Sequence, residues 1–386
     1  MKILFHHRIR SQDGQYVHLR EMVEAFSALG HDVRLVGPKI SERNAFGKGG
    51  STTAWVRRTL PAWVGECVEL TYAIWAAVRL FSRLLIDRPA FVYERFNLFS
   101  PAGVIVCRWL SVPLVLEINS PLYEERDSNG GVGLKSIAEW SQRFTWRWAS
   151  LCCPVSAVLG HIVHAAGVPC ERILVRHNGI DPTRFNTQLD RVEARKRRGL
   201  QGRCVLGFIG FLREWHRVDR IVNVMAQREL PVETHLVIAG DGPALEGLKA
   251  QVVRCGLQDR VTFLGLVHWS EVPDLLACFD IALQPAVTPY ASPLKLIEYL
   301  ACGLAILAPD QDNIRELIVH GENGWIFDAA SSESLAAELR ILCDDPALRD
   351  RLGRGAQDTV DALGLTWRHN AQAVIDCLAQ RGQVQQ

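Results

Sequence analysis

Lys295 and Glu298 stand one helical turn apart in the stretch Ser292 to Trp325, which reads SPLKLIEYLACGLAILAPDQDNIRELIVHGENGW. The polar turn at its start opens a helix that stops at Cys302-Gly303. The first amides of a helix have no partner within it and sit at the positive end of its dipole, so they favour an anion. A carboxylate in that first turn would complement the dipole, and a lysine does not. An external anion accounts for Lys295, and the amides of Leu294 and Lys295 are placed to cradle a phosphate; Pro293 has no amide to give. A second group, Gly210-Phe211-Leu212-Arg213-Glu214-Trp215-His216-Arg217, directly follows an apolar strand. Loops at the C-terminal ends of parallel strands are where open α/β sheets bind ligands. Arg213, His216 and Arg217 there supply the cations that a diphosphate leaving group requires. As a solvated loop the same residues need no ligand.

Gly240-Asp241-Gly242-Pro243 follows the strand Leu236 to Ala239 and lets the backbone approach a ligand closely, or simply starts a helix. Leu266-Val267-His268 follows another strand. In the first half of the chain, Gly14-Gln15 comes after the first strand, and Glu117-Ile118-Asn119-Ser120-Pro121 closes a later one. Glu94-Arg95, after the strand Phe91 to Tyr93, reads equally as an acceptor-facing pair or an internal ion pair. Asp310-Gln311-Asp312 has the spacing of a metal motif, but it lies before a helix, where Asp312 is more simply an N-cap. His161 and His164, three apart on a helix, have no third ligand nearby. No metal is expected.

The elements that must position these residues alternate in type. Lys2 to His7 reads as a strand, the polar loop Arg8 to Gly14 leads into a helix to about Leu29, and a second strand follows at Val33 to Val36. Residues 41 to 53 read as a mobile loop, before a long helical region to about Ile86. Strands recur near Phe91 to Tyr93, Leu114 to Ile118, Leu151 to Val155 and Ile173 to Arg176. After a charged linker at Asp190 to Arg198, a second series has strands near Val205 to Gly210, Thr234 to Ala239, Arg260 to Leu264, Ile281 to Gln284 and Leu304 to Ala308. A helix is expected at about Asn313 to His320. The pattern predicts two doubly wound α/β domains, 1–190 and 191–364, and no G-x-G-x-x-G dinucleotide fingerprint is present.

The run P-L-K-L-I-E-Y-L-A-C-G, then N-I-R-E-L-I and H-G-E-N-G-W-I-F, resembles the donor-site signature of glycosyltransferase family 4. The resemblance implies the GT-B fold, two Rossmann-like domains facing across a cleft, with the last helix (about 365–380) packing back on the first. It implies transfer of a sugar from a nucleotide-sugar, with retention at the anomeric carbon and no metal. It assigns Glu298 to the ribose hydroxyls, Gly210, Gly240, Ser292 and Leu294 to the donor, and the backbone at Val267 to the base. Gly14, Gln15, Glu94, Arg95, Glu117 and Asn119 fall on the cleft side of the first domain, with Asn119 near the sugar. The chain departs from the family in places. Tyr290 holds the position of the first of two family glutamates, Asn119 that of a frequent histidine, and His216-Arg217 that of a Lys-Gly, with Arg213 the nearest substitute for the family arginine. A nucleotide-sugar epimerase and a degenerate nucleotide-sugar-binding protein remain as alternatives.

Composition sets the remaining bounds. The 386 residues are 48% hydrophobic, enough for two cores, and the net charge of +1 gives no bulk attraction to nucleic acid. Eleven scattered cysteines with no C-x-x-C suggest buried thiols in a reducing cytoplasm. The N-terminus does not read as a signal peptide, and no transmembrane helix is expected. A peripheral contact with the inner face of a membrane is expected around Pro61 to Asp87. There Glu66, Glu69, Arg79, Arg83 and Asp87 share one side of a helix, while Trp63, Leu70, Ile74, Trp75, Val78 and Phe81 fill much of the rest. Trp55, Arg57 and Arg58 precede it. The competing expectation is that this apolar face packs on the domain's own sheet. A membrane contact would suit a lipid-linked saccharide acceptor in bacterial surface polysaccharide assembly.

Overall fold

The computed structural model describes residues 1–9, 14–40, 61–185 and 190–384. The expected loop at 41–53 and the Trp55, Arg57 and Arg58 cluster lie outside these residues. The chain divides into two units, Met1–His177 with Trp367–Gln386, and Asn178–Thr366. This division falls before the charged segment from which the sequence places the boundary. The reason is packing, since Ile180 and Phe185 are already buried in the second unit's core.

The first unit carries β1 (Lys2–His6), β2 (Asp32–Val36), β3 (Phe91–Arg95), β4 (Leu114–Ile118) and β5 (Leu151–Pro154). They form one parallel sheet in the order β2-β1-β3-β4-β5. Its central strands are largely buried, as strands covered by helices on both faces are, and they carry their charged residues His6, Glu94, Arg95 and Glu117 toward their C-terminal ends. The terminal helix Trp367–Gln380 packs on the helix Gly14–Ala28, and the His18 and Trp367 rings meet edge to face at 4.5 Å. The expected strand at Ile173 to Arg176 is not one. Only Ile173 makes an isolated bridge, to Cys152, and the amides of Leu174 and Arg176 reach the carbonyls of Cys152 and Pro154.

The second unit carries β6 (Cys204–Ile209), β7 (Thr234–Ala239), β8 (Val261–Gly265), β9 (Ile281–Leu283), β10 (Ala305–Pro309) and β11 (Trp325–Phe327). All are parallel, in the order β11-β10-β9-β6-β7-β8. The strand order reverses between β6 and β9, which opens a crevice above their C-terminal ends. β11 had no counterpart among the sequence-predicted strands. The helix expected at Asn313 to His320 is a single turn, Asp312–Arg315. Asn323 explains the early stop: its side chain accepts from the Val319 amide and donates to the Leu317 carbonyl, replacing helical bonds with a turn.

The long helix Ala62–Asp87 turns several of its acids inward and much of its apolar face outward. Glu66 and Asp87 are buried, and the apolar residues that face the unit's interior are the modest Ala73, Ala76, Leu80 and Leu84. Trp63, Val68, Ile74, Trp75, Val78, Leu85 and Ile86 are exposed. The expectation that its wide apolar face packs on the sheet therefore fails. Among the described residues no helix is long and apolar enough to cross a membrane. All eleven cysteines are free; Cys67 and Cys170 are exposed, against the expectation of uniform burial.

Candidate functional site

The second unit's crevice is assembled by backbone. The Gly210 amide donates to the Ala239 carbonyl at 3.0 Å, the Gly240 amide to Gly265 at 2.7 Å, and the Leu212 amide to Asp241 at 2.8 Å. These bonds join the loops after β6, β7 and β8. Gly240 has φ +133°, and a Cβ there would lie 1.9 Å from the Gly210 carbonyl oxygen, so only glycine permits this approach. The helix Leu294–Ala301 rises from the loop after β9, on the other side of the point where strand order reverses.

That loop is held by two buried asparagines the sequence reading missed. Asn178 donates its amide to Ser292 Oγ at 3.1 Å and its side chain to the Ser292 carbonyl at 2.6 Å. Asn313 donates to the carbonyls of Thr288 and Ala291 at 3.1 and 2.8 Å. Ser292 is thereby a positioning residue for the helix start. Pro293 occupies the N-cap and gives the helix no side-chain cap, so no side chain occupies its first amides in the way an N-cap serine or aspartate would. Tyr299, fully buried on the same helix, accepts the Ile209 amide at 3.2 Å and so ties the helix to β6.

Lys295 is the centre of this arrangement. Its stem is partly accessible, but its ammonium is sealed from solvent and has no hydrogen-bond partner among the described residues. It sits 4.0 Å above the Phe208 ring, and a Cβ on Gly210 would lie 3.0 Å from it. Burial lowers its pKa to about 7, opposed by the carboxylate of Glu298. His216 does not supply the positive charge expected of it. Burial, then the charge of Lys295, lowers its imidazole to about 3, so it is neutral near pH 7. Its Nδ1 accepts the Arg213 amide at 3.4 Å. The exposed Arg213 guanidinium lies between the Phe211 and Trp215 rings, 4.9 and 4.8 Å from their centroids. Arg217 is turned away, with a paired grip on Asp219 at 3.2 and 3.3 Å. Val267 is half-buried against the core beside the crevice.

The first unit's candidates form closed pairs. Glu117 accepts from Tyr93, Arg95 and Asn119 at 2.9, 2.8 and 2.6 Å and faces His18 at 3.2 Å. Burial would raise its pKa, but His18, Arg95 and Asn119 outweigh that and hold it far below the usual carboxylate range. Glu94 pairs with His6 at 2.6 Å, so Glu94 and Arg95 each have a partner other than the other. Gly14 and Gln15 begin the helix Gly14–Ala28, with Gln15 exposed. Asp310 is bound by Arg315, and the N-cap of the short helix is Gln311, not Asp312. Among the described residues no group of three or more His, Cys, Asp or Glu side chains could hold a metal ion.

Two parallel sheets, each flanked by helices, with the second in the Rossmann strand order, match the GT-B architecture. The Glycosyltransferase Family 4 model matches residues 12–184 and the Glycosyl transferases group 1 model matches 190–359. The chain belongs to these two-domain glycosyltransferases of the GT-B fold. It is similar to the alpha-D-kanosaminyltransferase of Streptomyces kanamyceticus, at 25% identity over 65% of this chain and 67% of that one. It is also similar to an amylovoran biosynthesis glycosyltransferase of Erwinia amylovora, at 28% over 55% and 50%. The chain thus spans between half and two thirds of these relatives. Its fold is that of Anabaena HepE, solved with UDP (TM-score 0.77) and with UDP-glucose (0.75), each at 19% identity and covering 98% of this chain and 100% of that one.

Proposed function

We propose that the chain is a retaining glycosyltransferase that moves a sugar from a nucleotide-sugar to a lipid-linked saccharide in bacterial surface polysaccharide assembly. The observation that carries the donor site is Lys295: a sealed ammonium with no hydrogen-bond partner among the described residues, at an uncapped helix start beside a switch-point crevice. An unpaired buried cation is costly, and an anion arriving there repays the cost. The solved neighbours bound to UDP and UDP-glucose support a nucleoside diphosphate as that anion.

In this reading Lys295 and the amides of Leu294 and Lys295 hold the diphosphate, and Glu298 takes the ribose hydroxyls. Gly210 and Gly240 give the donor room, and backbone at Val267 meets the base. Arg213 closes over the phosphates, while His216, being neutral, contributes a hydrogen bond rather than charge. As the sugar–phosphate bond breaks, negative charge grows on the departing phosphate, and Lys295 stabilises it. The acceptor hydroxyl attacks from the same face and passes its proton to a phosphate oxygen, so no protein base is needed. Asn119 orients a sugar hydroxyl, and Gly14, Gln15 and the Glu94, Arg95 and Glu117 group shape the acceptor side. The relatives' names, kanosaminyltransferase and amylovoran biosynthesis glycosyltransferase, support a saccharide acceptor and a place in glycoconjugate synthesis.

Calorimetry with a panel of nucleoside diphosphates and nucleotide-sugars tests the donor site, comparing wild type with Lys295→Ala. Binding of at least one base that the variant loses is expected; no binding by wild type overturns the donor reading. Donor turnover that requires an added lipid extract, with the anomeric configuration of the product read by NMR, tests the transfer. Release of free sugar or epimer without acceptor would replace the transferase with an epimerase.

A further inference from the structure

The helix Ala62–Asp87 spends its carboxylates inward. Glu66 accepts the amides of Gly133 and Leu134 at 2.9 and 2.7 Å, which supplies the start of the helix Lys135–Trp148 with the cap that its own Leu134 cannot give. Glu69 binds Arg126 at 3.0 and 3.2 Å. Asp87 pairs with Arg34 and, at 3.1 Å, with Arg83. With three acids fixed on the inner side, the larger apolar residues face out: Ile74 is 67% exposed, Trp75 49%, Val78 64% and Ile86 70%.

The neighbouring helix Ala102–Trp109 continues this surface. Trp109, 77% exposed, stacks on Phe81 at 5.3 Å, and Ile105 is exposed beside it. Two exposed arginines complete the face. Arg79 lies 5.2 Å over the Trp75 ring, and Arg108 lies 3.9 Å over Trp148. Among the described residues no carboxylate of either helix is exposed on it. A patch of tryptophan, isoleucine and valine edged by arginine, with no acid, is complementary to a bilayer carrying anionic headgroups. The rings enter the headgroup layer, the aliphatic residues reach the acyl boundary, and the guanidinium groups meet phosphate.

We propose that this face, built on Ala62–Asp87 and Ala102–Trp109, docks the protein onto an anionic lipid surface. The inference deepens the reading of a lipid-linked acceptor by naming the surface that brings the chain to it. The inward acids make the device rigid: the helix is already folded and anchored, so binding orders nothing further. A folded, preorganised surface loses less on binding than a segment that must fold there.

The test is flotation of the full chain with phosphatidylcholine vesicles, with and without phosphatidylglycerol. Wild type should float with the anionic vesicles and largely fail to with the neutral ones. Arg79→Gln with Arg108→Gln should weaken binding about twenty-five-fold, at about fivefold per arginine. Trp75→Ala with Trp109→Ala should remove it, and Ile74→Ser with Val78→Ser is the second variant should the first pair not fold. No flotation of wild type, or unchanged flotation of the folded variants, overturns the proposal. So does a dimer in solution that the tryptophan changes dissociate, because the face would then be a self-interface. Calorimetry with nucleoside diphosphates on the same samples reports the second unit alone, so a lost donor site and a lost lipid surface are told apart.

Discussion

At the end of β4, Glu117 is met by Tyr93, Arg95, Asn119 and His18; at the start of the helix Leu294–Ala301, Lys295 is met by a phenyl ring. Both groups are buried charges in Rossmann-like units. The first is neutralised by its own chain and carries a pKa pushed down, toward the charged form. The second has no hydrogen-bond partner among the described residues and carries a pKa pushed down by burial, toward the uncharged form. The same direction of shift means opposite things for an acid and a base. A satisfied carboxylate stabilises the fold, and a buried ammonium without a hydrogen-bond partner costs it stability; in the proposed function a bound diphosphate offsets that cost.

The largest effect expected from this contrast is on Glu117. Glu117→Ala strands Arg95 and Tyr93 and should cost the first unit about 3–5 kcal/mol, read as an earlier first-unit transition in urea, with nucleotide affinity unchanged. Its contribution is full above the ordinary carboxylate pKa and is lost as pH falls toward the depressed folded value. An unmoved transition would make the cluster ornamental. Lys295→Met should do the reverse. Removing an unpaired buried charge should raise the second unit's melting temperature, while nucleoside diphosphate affinity drops by roughly 10- to 100-fold. A fall in both would mean that Lys295 has a structural partner.

Titration sharpens the same contrast. Bound phosphate raises the Lys295 pKa above its free value of about 7, so affinity should be flat below that pH. Above it, affinity should fall by up to about tenfold per pH unit. Calorimetry near pH 8 in two buffers of different ionisation enthalpy should show proton uptake, and none near pH 6. Glu298→Ala, which removes one charge-assisted hydrogen bond, should weaken nucleotide-sugar binding on the order of tenfold. The smallest effect is expected of Arg217→Ala, less than about threefold, because its guanidinium is already held by Asp219. A larger loss would show that Arg217 leaves Asp219 when the donor binds.

The placement of Lys295 in the first turn of a helix was legible in the sequence because its signal is local. A lysine in a helix's first turn contradicts the dipole, and the contradiction is visible within a few residues. The strand Thr234–Ala239 and the helix stop at Cys302-Gly303 were legible on the same grounds, by apolar run and by glycine. The inward acids of the helix Ala62–Asp87 were not. Amphipathic reasoning turns charge to water, and here Glu66, Glu69 and Asp87 find partners 53 to 68 residues away in sequence. His216 was misread for a similar reason. Its neutrality comes from burial and from Lys295, which lies 79 positions further along the chain. The holding roles of Asn178 and Asn313 were not legible because the backbone groups they bind come from a segment 114 residues away and from a turn 22 to 25 residues away with no pattern of its own.

The discontinuity of the first unit has a consequence for how the chain is made. Its terminal helix Trp367–Gln380 leaves the ribosome only after the whole second unit, roughly 190 residues. At synthesis rates of about 5–20 residues per second, once the first unit's residues to His177 are made, the surface of the helix Gly14–Ala28 that receives it still waits on the order of 10–40 s. During that interval His18 lacks the indole of Trp367, while every residue of the contiguous second unit is already made before that indole appears. The later half of the gene thus encodes the part whose residues are complete first, and the earlier half is complete only when the last helix arrives.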